Sequence, residues 1–384
     1  MGDSIRREIR WLYQRLILGL TVILSSFVHG QEQDQSVANI AIAGPMSGTS
    51  ASIGTQFQAG VLAALTLETD GTLLGRDIMV SDYDDQCRAN IAHSVAEDVT
   101  NQQPELVIGH SCSSATLAAM PVYAANNILQ ITPASTAPEI TEQGVPTVFR
   151  MLGRDDQQGQ LAAEYMLDHY ADARIAMLRF PSRYSTGAIE VANKILEGNG
   201  VEVVQVIDAL ASATSYLEQV LQMMEAEIDV VYAVGGVLDI GVFTRQASML
   251  RADFRIISAD SLISASFPGI AGPEANDVIF TFPADVRNNI TPERFTEIEL
   301  AIKQHGNVEA RGYALLSYAA TEVWIEGVKR AQSFAASRVA DAIREAPINT
   351  ILGDISFDEK GDIITHYPPF SWHEWRDGES HAME

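Results

Sequence analysis

The stretch Gly109-His110-Ser111-Cys112-Ser113-Ser114-Ala115-Thr116, with its partner Ile131-Thr132-Pro133-Ala134-Ser135-Thr136-Ala137-Pro138, decides how this chain is read. Each follows a short apolar run with strand character, Leu106-Val107-Ile108 and Ile128 to Ile131. Each places hydroxyls and small residues where a strand gives way to a loop or helix. Helix-start N–H groups have no intrahelical partner, so such a place can hold a small anion. The spacing alone leaves two roles open for Ser113 and Ser114: plain helix capping, which serine favours, and capture of a ligand carboxylate.

Outward from these loops the chain alternates strand and helix. The first series holds strands at Ala38–Ala43, Ile78–Tyr83, Leu106–Ile108 and Ile128–Ile131. Helices are expected around Phe57 to Leu65, Asn90 to Gln102, and Ser114 to Asn126, the last weakened by Pro121. A second series of similar build runs from Gln157 to Ser258, and Val278 to Phe282 leads out of it. Thr291-Pro292-Glu293 is a helix start, with threonine as cap and proline at the first helical position. This order predicts parallel sheets with helices on both faces, and ligands beyond the carboxyl ends of the strands.

Composition narrows the function. The 384 residues are 47% hydrophobic, enough for a sizeable core and two lobes. The formal net charge of −25 argues against nucleic acid and anionic membrane surfaces as partners. Arg6, Arg7, Arg10 and Arg15 precede an apolar run from Leu16 to Val28, then a small-residue exit at Gly30. That is the layout of a cleaved secretory signal peptide over residues 1–30. The run is shorter than the ~20 residues of a comfortable transmembrane helix. Its removal leaves 21 basic and 48 acidic residues, a net of −27. In an exported chain the only two cysteines, Cys87 and Cys112, most simply form a disulfide. Two buried thiols and a metal site are the rivals, the latter poorly supplied with ligands even if His110 is counted.

Catalytic signatures are weak. Gly109 to Ser113 begins like a nucleophile elbow around Ser111 but ends on Ser113 where glycine is required. Neither phosphate-loop, dinucleotide nor zinc-protease motifs occur, and no cofactor or metal is expected. Asp82, Asp84 and Asp85 lack the rest of a calcium loop.

The chain resembles the periplasmic leucine/isoleucine/valine-binding proteins, type I solute-binding proteins of branched-chain amino-acid ABC transporters. Both opening stretches carry the resemblance. So do Gly44-Pro45-Met46-Ser47-Gly48, Tyr83-Asp84-Asp85-Gln86-Cys87, Gln158-Gly159 and Asp358-Glu359-Lys360-Gly361-Asp362, in family order. The resemblance implies an α/β fold of two doubly wound parallel-sheet lobes joined by three hinge crossovers. Lobe 1 would comprise 37–152 plus about 284–347, and lobe 2 153–283 plus about 348–384. It implies a disulfide between Cys87 and Cys112, and a monomer in the periplasm that hands its ligand to an inner-membrane ABC permease.

Carried over residue by residue, the resemblance gives Ser113 and Thr136 the ligand's α-carboxylate. The Ala134 carbonyl and the Thr136 hydroxyl take the α-ammonium. Asp260 stands where the family usually has glutamate and completes the ammonium site. Four residues fall on the side-chain pocket: Ile53, Tyr184, Val237 and Tyr313. Ile53 and Val237 replace family aromatics, so amino-acid recognition is expected more firmly than a branched-chain preference. Arg154 and Arg183 lie near the cleft segments, with a surface role the simpler expectation. A sensory protein of the same fold, and a secreted hydrolase using Ser111, are the competing functions.

Overall fold

A computed structural model describes residues 37–283 and 290–383. The expected signal peptide over 1–30 therefore lies outside the described residues. Among those that are described, no helix is long and apolar enough to cross a membrane.

The first sheet has the order β2 (Thr72–Leu73), β3 (Arg76–Asp84), β1 (Val37–Gly44), β4 (Leu106–Gly109), β5 (Leu129–Thr132), β6 (Val148–Arg150). β1, β4, β5 and β6 run parallel. Every residue of β4 and β5 is buried, as expected for the centre of a parallel sheet covered on both faces. Its helices are α1 (Ala51–Glu68), α2 (Ala89–Asn101), α3 (Ser113–Ala125) and the single turn α4 (Glu139–Glu142). α3 continues through Pro121, which sits on its exposed side.

The second sheet opens with the helix α5 (Asp155–Tyr170) and collects β7 (Ile175–Arg179), β8 (Val203–Asp208), β9 (Val230–Val234), β10 (Arg255–Ser258) and β11 (Val278–Phe282) in the order β11-β10-β9-β7-β8, all parallel. α6 (Arg183–Gly198), α7 (Leu217–Glu225), α8 (Val237–Met249) and the short α9 (Phe267–Ala271) connect them. The chain then supplies α10 (Pro292–Gly306) and α11 (Tyr313–Ala331), which pack on α1, followed by α12 (Ala336–Glu345). Thr291 caps α10, its hydroxyl accepting the Arg294 N–H at 3.3 Å.

After α12 comes a small antiparallel sheet of β12 (Ile348–Thr350), β13 (Gly353–Phe357) and β14 (Ile363–Ile364). β15 (Ser371–Arg376) and β16 (Glu379–Ala382) then extend the second sheet antiparallel to β11. The chain thus passes between the two large sheets three times: after β6, after β11 and after β14. The small sheet leans on the first large sheet, not the second. Asp362 bridges to Arg150 of β6, and β12 and β13 pack on α11 and α12. The stretch 348–364, assigned from sequence to the second lobe, thus has these contacts with the first.

Arg150 explains that attachment. It is fully buried, with Nε on Asp362 Oδ1 at 2.8 Å, Nη1 on the Ala137 carbonyl at 2.8 Å and Nη2 on the Thr141 hydroxyl at 2.7 Å. Burial pushes its pKa down, and the Asp362 carboxylate opposes that shift. A buried guanidinium satisfied in this way ties the loop after β5 to the C-terminal segment, and breaking it would leave an uncompensated charge.

Candidate functional site

The two opening stretches meet at the carboxyl ends of β4 and β5, and several of their hydroxyls are spent tying one stretch to the other. Thr132 donates to the His110 carbonyl at 2.8 Å. Ser135 reaches the carbonyls of His110 and Ser111 at 3.0 and 3.1 Å, and its Oγ lies 2.6 Å from that of Thr116. Gln130 donates to the Gly109 carbonyl at 2.9 Å. Gly109 has φ +145, and a Cβ there would collide with the Ala43 carbonyl, so only glycine lets β4 turn into this loop beside β1. His110 is buried, with Nδ1 2.6 Å from Asp85 and Nε2 3.0 Å from the Tyr123 hydroxyl. Cys87 and Cys112 are joined as a disulfide, Cα atoms 5.4 Å apart.

This lacing leaves few groups facing outward. Cys112, not a serine, is the N-cap of α3, and no side chain caps the helix. The Ser113 hydroxyl instead accepts the N–H groups of Thr136 and Ala137, at 3.3 and 3.2 Å. Ser113, Ser114, Ala134 and Thr136 all border a cavity of about 610 Å³. The unpaired first N–H groups of α3 point positive dipole density at that end.

On the second sheet's side the same cavity is bordered by Tyr184, Val237 and Asp260, and on the first sheet's side also by Tyr313 of α11 and Ile53 of α1. All eight residues expected from sequence therefore line one space. Asp260 follows β10 and is almost fully buried. Its Oδ1 accepts from Gln158 Nε2 at 2.9 Å and its Oδ2 from the Tyr313 hydroxyl at 2.8 Å, and Tyr184 also donates to it. Among the described residues no lysine, arginine or histidine pairs with it. Burial pushes its carboxyl above the usual range, and the donors from Gln158, Tyr313 and Tyr184 hold it back. The phenols of Tyr184 and Tyr313 are pushed well up by burial and by Asp260, so both remain neutral donors.

Several residues were not singled out from sequence. Phe180 and Asp239 also border the cavity. Phe180 is packed so closely that a Cβ on Gly235 would strike its ring, which explains the glycine there. Asp239 anchors the wall, its Oδ1 accepting the Ser212 N–H at 2.6 Å and the Tyr216 hydroxyl at 2.5 Å. Asp155 lies one layer behind, at the start of α5 with Gln158 on the same helical face. That spacing of three, in an acidic first turn, was the available signal.

Arg154 and Arg183 stand outside the lining. Arg154 pairs with Asp156 and Glu142 at 2.8 Å, and Arg183 pairs with Glu139. Ser111 borders the cavity, but the neighbouring His110 has both ring nitrogens engaged elsewhere, so it offers that hydroxyl no base.

A two-sheet α/β fold whose cavity at the strand ends is largely apolar, with a buried carboxylate at one side and an open helix start at the other, fits a small-molecule binding protein. A family model described as "Periplasmic binding protein" matches residues 38–373. The chain is 34% identical over 348 residues to the Leu/Ile/Val-binding protein homolog 1 of Brucella suis, covering 90% of this chain and 93% of that one. It is 30% identical over 336 residues to the leucine-, isoleucine-, valine-, threonine-, and alanine-binding protein of Pseudomonas aeruginosa, covering 87% and 89%. The crystal structure of a leucine binding protein from Thermotoga maritima superposes with a TM-score of 0.80 at 24% identity, covering 90% and 98%. The chain belongs to the periplasmic leucine/isoleucine/valine-binding protein family, a family of solute-binding proteins.

Proposed function

We propose that this protein captures a free amino acid between its two sheets and delivers it to an ABC importer. One observation carries the reading. A single cavity sets the open start of α3, with Ser113 and Thr136, against Asp260, a buried carboxylate without a protein cation. That is the complement of a zwitterion, whose two charges must both find fixed partners on leaving water. Ser113 and Thr136 hold the α-carboxylate. The Ala134 carbonyl, the Thr136 hydroxyl and Asp260 hold the α-ammonium. Tyr313 and Tyr184 keep Asp260 in place, and Ile53 and Val237 border the side chain. The names of the relatives support small aliphatic ligands, leucine to alanine, but the two replaced aromatics leave the side-chain end roomier.

Lobe 1 is taken as 37–152 with 290–364, and lobe 2 as 153–283 with 371–383, so that closure turns on the three crossings. The signal peptide over 1–30 would place the mature monomer in the periplasm, beside the permease it serves. Closure is the working step, and no chemistry is assigned to the site. A sensory role would use the same site with a signalling partner in place of the permease. Hydrolysis by Ser111 lacks a base.

A thermal-shift screen against the common amino acids, small amides and aromatic acids tests this reading. A bound ligand at 100 times its Kd contributes about 2.7 kcal/mol. Shifts by amino acids alone are expected. Shifts only by carboxylates without an amine would remove the ammonium role from Asp260.

A further inference from the structure

Behind the cavity sits a second acid with no cation of its own. Asp155, the first residue of α5, is completely buried. Its Oδ1 receives only a long contact from Gln158 Nε2, 3.4 Å, and its Oδ2 has no partner at all. Gln158 is shared: the same amide nitrogen donates to Asp260 Oδ1 at 2.9 Å, while its oxygen accepts the Asp260 N–H at 3.2 Å and the Thr281 hydroxyl at 2.6 Å. The Asp155 N–H donates to the Thr136 carbonyl at 2.9 Å, and Thr136 borders the cavity. One residue, Thr136, therefore separates this buried acid from the place assigned to the ligand's ammonium.

The charged and titratable groups facing Asp155 are few. Asp260 lies beyond β10, Tyr184 on α6, Tyr313 on α11, Tyr232 on β9, Arg150 on β6, and Asp156 on its own helix. The Tyr232 hydroxyl is itself buried without a partner. Arg150 acts on Asp155 only through space, its own donors being spent on Asp362, Ala137 and Thr141. Two buried carboxylates sharing one amide cannot both be ionised without a cation. Asp260 has the better donors, so the empty protein's proton belongs on Asp155, the one with a bare oxygen. Burial, with the charge of Asp260, acts in the same direction.

We infer that ligand capture releases a proton held on Asp155 in the empty protein, so that affinity rises with pH. The inference rests on the amino-acid reading above. On binding, the Asp155 O–H bond breaks, the proton leaves past Thr136 to the buffer, and the ligand's ammonium replaces it as the cluster's positive charge. By linkage, each proton released makes Kd fall up to about tenfold per pH unit over the range where Asp155 titrates.

The test is calorimetric titration of the wild-type protein with its best-binding uncharged-side-chain amino acid. Titrations in phosphate and in Tris at the same pH give the proton count from the difference in enthalpy. Release of roughly half to one proton is expected, together with tightening from pH 5.5 to 7.5. Asp155→Asn should abolish both the buffer difference and the pH slope. Equal enthalpies in the two buffers would overturn the inference while leaving the amino-acid reading intact. A variant that still releases the proton would move it to another group and overturn the assignment. If the variant does not fold, carboxyl 13C shifts of aspartate-labelled wild type decide: a protonated aspartate signal must vanish on adding ligand, and its persistence contradicts the inference. Binding by no amino acid at all would overturn the function and the inference together.

Discussion

Replacing Asp260 with asparagine should weaken binding strongly and leave the stability of the empty protein nearly unchanged. The substitution keeps the volume and most of the shape. Gln158 and Tyr313 donate to different oxygens, at 2.9 and 2.8 Å, so only one of them meets the amide oxygen and the other faces an N–H₂. In the ligand complex the loss is larger. A charge-assisted hydrogen bond to the ammonium becomes a neutral one, and truncating one partner of a buried charge pair costs about 2–5 kcal/mol. Affinity should therefore fall roughly 30- to 4,000-fold. In the empty protein the balance differs, because burial holds the carboxyl above its usual range and the unpaired charge is itself unfavourable. Near neutral pH the empty variant should melt no lower than wild type, or within about 1 kcal/mol below it from the mismatched donor. Because burial raises the Asp260 pKa, the contribution of this carboxyl to stability is full below its unfolded value and declines as pH rises through the folded one. The variant should accordingly gain on wild type as pH rises from 5 to 8. Titration calorimetry reads the affinity, and thermal melts with and without ligand read the stability. An unchanged Kd with a markedly lower melting temperature would show a structural residue and refute the reasoning.

Other outcomes follow from the same geometry. Thr136→Val removes a hydroxyl from a buried polar site and should weaken binding about 10-fold or more, with little change in the circular dichroism spectrum. Replacing both Cys87 and Cys112 with alanine opens a loop of sequence separation 25 and should lower stability in urea by roughly 3–4 kcal/mol; ligand affinity should fall too, since Cys112 leads into α3. Glu322 of α11 is pushed up to about 8, chiefly by burial, against a hydrogen bond from the Ile351 N–H at 2.9 Å. Its favourable contribution is complete below about pH 4.5 and is lost as pH rises to about 8, so Glu322→Gln should stabilise the protein by a few kcal/mol at pH 8 (~1.4 per pKa unit) and far less at pH 5, read by melts at both.

The strand–helix alternation was legible because β4 carries the apolar run Leu106-Val107-Ile108 and β5 the apolar Leu129 and Ile131, and the following helices carry apolar residues at helical spacing. The site residues were legible mainly through the family resemblance. Local pattern alone could not tell which hydroxyls line a cavity: Thr132, Ser135 and Thr116 look like Ser113 and Thr136 in sequence, yet the first three are consumed in tying the loops together. Ser113 looked like a cap and is not one, because its hydroxyl is turned toward the loop after β5. Asp155 escaped notice because an acid in a first helical turn normally serves the helix dipole in solvent. Only the tertiary fold, with α6 and β9 laid over it, removes that solvent. The attachment of 348–364 to the first sheet likewise depends on a contact between Arg150 and Asp362 that no local pattern announces.

In the proposed reading the protein recognises the two α-groups every amino acid shares. Calorimetric titration of the best ligand beside its N-acetyl and methyl-ester derivatives tests it most directly. Each derivative deletes one charge while keeping the side chain. Both are expected to lose at least about 100-fold in affinity, about 2.7 kcal/mol, the acetyl form at Asp260 and the ester at Ser113 and Thr136. Derivatives that bind as tightly as the parent amino acid would contradict it.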